Sequence, residues 1–263
     1  MSTASSIGKR FVDVVAAVND ALALLGEVVV EAVAMVFKPW RFRLGDALLA
    51  FQRAAFDGLP ISIGIGFLLG LILAFQSAAA LRTFGVETYV ADLLAIGLFR
   101  ELGPIITAII LAGRSGSAFA AEIGTMKVDE ELDALTTMGL PPVRFLVMPR
   151  VFAATLAMPL LTICAELSGL VGGAIVLRLM NIPNAVFWSN VAETTDVFMI
   201  VFGLAKSALF GLLVGLVGCC AGMRTKATAD GVGVAATAAV VGGIVSIAVA
   251  DGLIAVICYF WGL

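Results

Sequence analysis

The chain contains no histidine. That absence excludes imidazole acid–base catalysis, histidine metal ligands and a histidine-activated serine. Charge is scarce too, at 13% of 263 residues, against about one-quarter in soluble domains. The net charge of −3 comes with no basic run or aromatic-interleaved patch, so nothing points to nucleic acid. The four cysteines, Cys164, Cys219, Cys220 and Cys258, sit in apolar runs without metal-ligand spacing. They read as small buried hydrophobes, not as a disulfide framework or a metal site. A Walker A loop is missing as well. "GLAKS" (Gly203 to Ser207) has the Lys-Ser pair, but Ala205 and Ile200 stand where glycines are needed. The chain is therefore expected to hydrolyse no ATP and to carry no cofactor of its own.

Apolar sequence is abundant. Hydrophobic residues make up 61% of the chain, and mean hydropathy is +1.10. A spanning helix needs about 20 mostly apolar residues, and five runs qualify. They are Leu59 to Leu81, Val90 to Ala112, Val151 to Leu177 with Pro159 as a kink, Val197 to Ala221, and Val232 to Phe260. The reading is an all-α integral membrane protein, with a segment 1–58 ahead of a five-span domain 59–263.

Segment 1–58 differs in character. Lys9 and Arg10 imitate the start of a signal peptide, but Asp13, Asn19 and Asp20 break the apolar run that should follow. Asp13, Asp20, Glu27 and Glu31 are spaced by seven, seven and four, so they share one helical face. This predicts an amphipathic helix lying along the membrane interface; the alternative is a true span packed in a bundle. The short run "ALLAFQRAAF" should continue along the interface into the first span.

Orientation follows from Lys and Arg. With the N-terminus in the cytoplasm, twelve of the sixteen bases fall inside. Only Arg82 and Arg178 fall outside, while Arg100 and Lys206 lie within spans. The C-terminus is then outside, with Trp188 and Trp261 near the outer interface.

Between spans two and three runs "EIGTMKVDEELDALTTMG", with Glu122, Asp129, Glu130, Glu131 and Asp133 against Lys127. Val128, Leu132 and Leu135 fall at i, i+4 and i+7, which gives a helix one apolar face. Gly139, Pro141 and Pro142 end it. Such a helix can rest on headgroups or dock on a soluble partner. Its acids favour the partner, because the cytoplasmic leaflet is itself negative.

The block "FRELGPIITAIILAGRSGSAFAAEIGTMKVDEELDALTTMGLPPVRFLVMPRV" closely resembles the signature of MlaE-type permeases, the transmembrane subunits of MCE-associated ABC lipid transporters. "GFLLGLILAFQ", "KSALFG" and the Asp251 region resemble the family more loosely. The resemblance implies a homodimer in the bacterial inner membrane. It implies a cytoplasmic ABC ATPase as partner, a periplasmic MCE-domain protein and a STAS-domain protein. Phospholipid would be the cargo, and ATP would be bound only by the ATPase. The opening acidic stretch becomes a coupling helix, with Glu122, Met126, Asp129, Glu130, Glu131, Leu132 and Leu135 as the ATPase contacts. Glu101 and Leu102 in R-E-L-G-P, with Phe75 from the first span, become lipid-pocket residues.

Charges inside spans are costly and should face the bundle or a wet cavity. Arg100 and Glu101 are adjacent and point about 100° apart on an α-helix. A structural ion pair between Glu101 and another span is the alternative to a pocket role. Lys206 and Asp251 are expected to pair between helices. Glu166 receives no role. The small residues Gly113, Ser115, Gly116, Ser117 and Ala118 suggest close backbone approach where span two bends out of the membrane.

Two other function classes compete. One is an ion-coupled secondary transporter with Glu101, Glu166 and Asp251 as a proton relay, although no two-fold repeat is apparent. The other is a lipid-modifying enzyme, which the missing histidine and the missing carboxylate or metal motif disfavour.

Overall fold

The computed structural model describes residue 19 and residues 22–31 and 43–261. Asp13 and Asp20 lie outside the described residues, so half of the proposed acidic stripe is not seen. No strand occurs among the described residues. Five helices are long and apolar enough to cross a membrane. The protein is thus an all-α integral membrane protein, because only fully hydrogen-bonded helices or closed barrels tolerate hydrocarbon.

The first span is one helix, Leu44–Arg82, with Pro60 inside it. It runs unbroken through residues 58 and 59, and "ALLAFQRAAF" forms its opening turns. The second, Glu87–Val128, carries two π-helical stretches, Gly97–Leu102 and Ala112–Gly116. The third is Val143–Leu179, π-helical over Val143–Val147, with Pro159 inside its long α-helical part. The fourth is Val197–Met223 and the fifth Ala229–Trp261.

Small residues set the spacing of the spans. A Cβ added at Gly70 would stand 1.9 Å from the Gly169 carbonyl oxygen, and one at Gly66 would stand 2.3 Å from that of Ala165. Backbones of the first and third spans therefore touch, the contact that small residues permit in membrane helices. Spans two and four meet similarly. A Cβ at Gly218 would lie 2.7 Å from the Gly116 carbonyl. The small-residue run thus marks close approach, and helix continues through it to Val128. The third span is the central one, with 61% of its most apolar window buried; the fifth is peripheral, with 11%.

Two shorter elements complete the fold. Asn184–Thr194 is a helix between spans three and four. Phe187 and Val191 anchor it in the core. Asn190 donates to the Thr88 carbonyl at 3.0 Å, and the Thr194 hydroxyl donates to Asp92 at 2.7 Å. At the other end of the bundle, residues 22–31 are helical. Leu24 and Val28 are buried with Leu132 and Val143 in one apolar cluster, and Arg144 grips Glu31 through two hydrogen bonds of 2.9 and 2.8 Å.

Candidate functional site

The first site is a charged cluster among spans two, four and five. Lys206 is buried, its side chain 1% exposed. Its ammonium donates to a Glu101 carboxylate oxygen and to the Arg100 carbonyl at 3.4 Å. Asp251 Oδ1 lies 2.5 Å from Nζ, a contact ion pair by distance, although the carboxylate is not angled to accept a hydrogen bond. Arg100 Nε stands 3.9 Å from Glu101 Oε1. The adjacent pair thus shares one charge network despite its angular separation.

Two local features place these groups. Arg100 and Glu101 sit in the π-helical stretch Gly97–Leu102, and such stretches often mark functional sites. Gly203, one turn before Lys206, presses on the Phe99 carbonyl; a Cβ there would lie 2.1 Å from it. That contact fixes the depth at which Lys206 enters. The cluster holds two cationic and two anionic side chains, so each buried charge has a counter-charge. It is open on one side, since the Glu101 side chain is 39% exposed. Beside it, Arg100, Phe198, Met199, Phe202 and Cys258 line a small cavity of about 60 Å³.

Leu102 is half-buried. Phe75 is exposed on the first span and stands outside the group gathered at Lys206. Glu166 is buried at another point, its carboxyl packed against the Gly103 backbone.

The second site is the hairpin between spans two and three. It is not one amphipathic helix. Span two ends at Val128, Glu130 adopts a left-handed conformation with φ 60°, and a new helix runs Glu131–Thr137. The break falls within a run of three acids and puts Glu131 and Asp133 in the first turn of the next helix, where carboxylates are favoured. Val128 and Leu132 therefore do not share one helix face. Leu132 turns inward and is buried, while Leu135 is half-buried and Met138 is exposed. Asp129, Glu130, Glu131 and Asp133 are all exposed. Gly139, at φ 73°, closes the helix. Its N–H bonds to the Thr136 carbonyl and that of Leu140 to Leu135, both at 3.0 Å, a Schellman arrangement.

Glu122 and Met126 belong to the end of span two rather than to the hairpin helix. Met126 packs on the core. Glu122 accepts two hydrogen bonds from Arg150, at 3.2 and 2.9 Å. Lys127 donates to the Met223 carbonyl at 2.6 Å, which ties the root of the hairpin to the end of span four.

Sequence reasoning missed two participants. It did not connect Glu101 to Lys206, and it overlooked the 184–194 helix. Only the latter had a local signal, a proline followed by an eleven-residue run that ends at Thr194-Thr195-Asp196.

Residues 48–257 match the family described as Permease MlaE. A probable ABC transporter permease protein of Synechocystis is 37% identical over 67% of this chain and 68% of its own length. The intermembrane phospholipid transport system permease protein MlaE of Haemophilus influenzae is 32% identical over 88% of this chain and 87% of its own. The chloroplastic protein TRIGALACTOSYLDIACYLGLYCEROL 1 of Arabidopsis thaliana is 34% identical over 74% of this chain and 55% of its own. With five apolar spans, a charge cluster in the R-E-L-G-P stretch and this match, the chain belongs to the permease MlaE family.

Proposed function

We propose that this chain is the permease subunit of an ABC transporter that moves phospholipid between inner and outer membranes. The observation that carries the reading is the family match over residues 48–257, together with a relative named for intermembrane phospholipid transport. In this reading the chain is non-catalytic and sits in the inner membrane with its N-terminus cytoplasmic. It forms a homodimer, works beneath a periplasmic MCE-domain protein, and takes motion from a cytoplasmic ATPase, with a STAS-domain protein as a further partner.

The hairpin suits the ATPase role. Four exposed acids surround Leu135 and Met138, while Lys127 and Glu122 fasten the hairpin's root to spans three and four. A push on it therefore moves packed helices as rigid bodies. Replacing Leu135 and Met138 together by Asp should release the ATPase and leave the membrane dimer intact. Retained ATPase on affinity purification would reject the docking assignment. Leu132 is unsuitable for this test, since its burial ties it to the fold.

Leu102 and Phe75 are assigned to the lipid path, with Glu101 at its charged edge. A photoreactive residue at position 102 should capture phospholipid in membranes, and the yield should change when ATP is supplied. Failure at 102 with efficient capture at Val201, which is exposed on span four, would reject the path. The proton-relay alternative gains nothing from the geometry. Glu101 and Asp251 are both paired with one lysine, and Glu166 packs against the Gly103 backbone. Transport in proteoliposomes driven by an ion gradient without the ATPase would reverse this preference.

A further inference from the structure

A cavity of about 390 Å³ is lined by none of the residues of the Lys206 cluster. It lies among the opening turns of the first span, the later turns of the second and the start of the third. Its volume is in the range of small-molecule sites, about 300–1,000 Å³.

The first span builds one wall in a regular way. Arg43, Asp46, Ala50, Arg53 and Asp57 all line the cavity. Their spacings of three, four, three and four put them on one helical face. A polar stripe on an otherwise greasy helix needs a polar neighbour. Depth supplies the setting. A helix of 39 residues is about 58 Å long, against a hydrocarbon core of about 30 Å. The opening turns therefore reach the headgroup layer.

Among the described residues, the charges do not cancel. The cavity holds Arg43, Arg53, Arg114 and Arg150 against Asp46, Asp57 and Glu122, an excess of one positive charge. Three arginines have a close carboxylate: Arg43 with Asp46 at 2.9 Å, Arg114 with Asp57 at 3.1 Å, and Arg150 with Glu122 at 2.9 Å. Arg53 approaches Glu122 only to 3.8 Å, beyond hydrogen-bond reach, and its side chain is 64% exposed. Its forked donors suit a phosphate. The other walls are apolar, with Leu49, Phe119 and Phe145 among them. Outside the rim, exposed Phe56 follows Leu49 by seven residues, on the same side of the helix.

We propose that this cavity binds the headgroup phosphodiester of a membrane phospholipid, with Arg53 as the principal contact, at a site separate from the Glu101 path. A phosphodiester carries one negative charge and matches the excess. A phosphomonoester carries about 1.5–2 and would overfill it. The lipid's chains run past Leu49 along Phe56. This site goes beyond the transport reading and does not require phospholipid to be the cargo.

The test uses the full chain in native membranes with a photoreactive residue replacing Leu49. Phospholipid should be captured. Arg53→Glu should lower the yield by about tenfold, the loss of one charge-assisted hydrogen bond, while Arg53→Lys should keep most of it. A large excess of inorganic phosphate should leave the yield unchanged. Capture insensitive to the charge at 53 would mean ordinary lipid contact and would overturn the site. Capture suppressed by inorganic phosphate would mean a free-phosphate site and would overturn the lipid assignment. Because Arg53 is exposed and only loosely paired, both variants should fold, which size-exclusion of the dimer checks. Neither variant should alter capture at position 102, so this site and the transport path fail separately.

Discussion

Lys206 shows most directly how one residue constrains the rest. Its side chain is 1% exposed, and it answers both Glu101 and Asp251. Lys206→Met would leave Asp251 without its cation and Glu101 with only the longer contact to Arg100. Removing one partner of a buried pair costs about 3–5 kcal/mol. The lower end applies here, because Glu101 is 39% exposed and water screens it. Neutralising Glu101, Lys206 and Asp251 together, with Glu101→Gln, Lys206→Met and Asp251→Asn and Arg100 kept, should recover most of that loss. Thermal unfolding of the purified proteins measures both. A triple variant no more stable than the single one would show that charge balance is not what Lys206 supplies. The residue scale is also where the sequence was hardest to interpret. Lys206 and Asp251 could be paired on paper as opposite charges in neighbouring spans. Glu101 could not be added to them, because its reach depends on the π-helical stretch and on Gly203 settling against Phe99.

At the scale of elements, the decisive contacts are backbone against backbone. Gly70 has no room for any side chain, whereas a Cβ at Gly64 on the same span meets nothing within 4 Å. Gly70→Leu should therefore cost about 3 kcal/mol or more by forcing the first and third spans apart. Gly64→Leu should stay within about 0.5 kcal/mol. Equal losses in the two variants, read from thermal unfolding, would mean that helix propensity and not the contact governs. The hairpin offers a complementary case. Glu130 holds φ 60°, a conformation that costs an L-residue roughly 1–2 kcal/mol. Glu130→Gly should stabilise the turn by about 1 kcal/mol. Periodicity alone made this stretch a single helix, since Val128, Leu132 and Leu135 are correctly spaced. It failed because spacing does not register a single residue in the left-handed region.

At the scale of the molecule, the five spans were legible because hydrocarbon leaves a long apolar run almost no alternative to helix. Their ends were less so. Leu44–Arg82 starts well before the apolar run that announced it, because helix continues into the headgroup layer, where charged side chains are tolerated. How the spans surround one another was not legible either, as it rests on which glycines meet. The resulting bundle is lopsided. The third span is enclosed, while the fifth leaves Val241, Val245 and Val249 exposed along one face. We propose that this row, at i, i+4 and i+8, is the face that meets a second copy in the proposed two-fold dimer, where each residue would lie near its own counterpart. Single cysteines at 245 or 249, in a chain whose four native cysteines are replaced by alanine, should form cross-linked dimers on mild oxidation. A cysteine at Val201 of span four should not. Cross-linking at 201 with none at 245 or 249, in protein that still elutes as a dimer, would place the two-fold axis on the opposite side of the bundle.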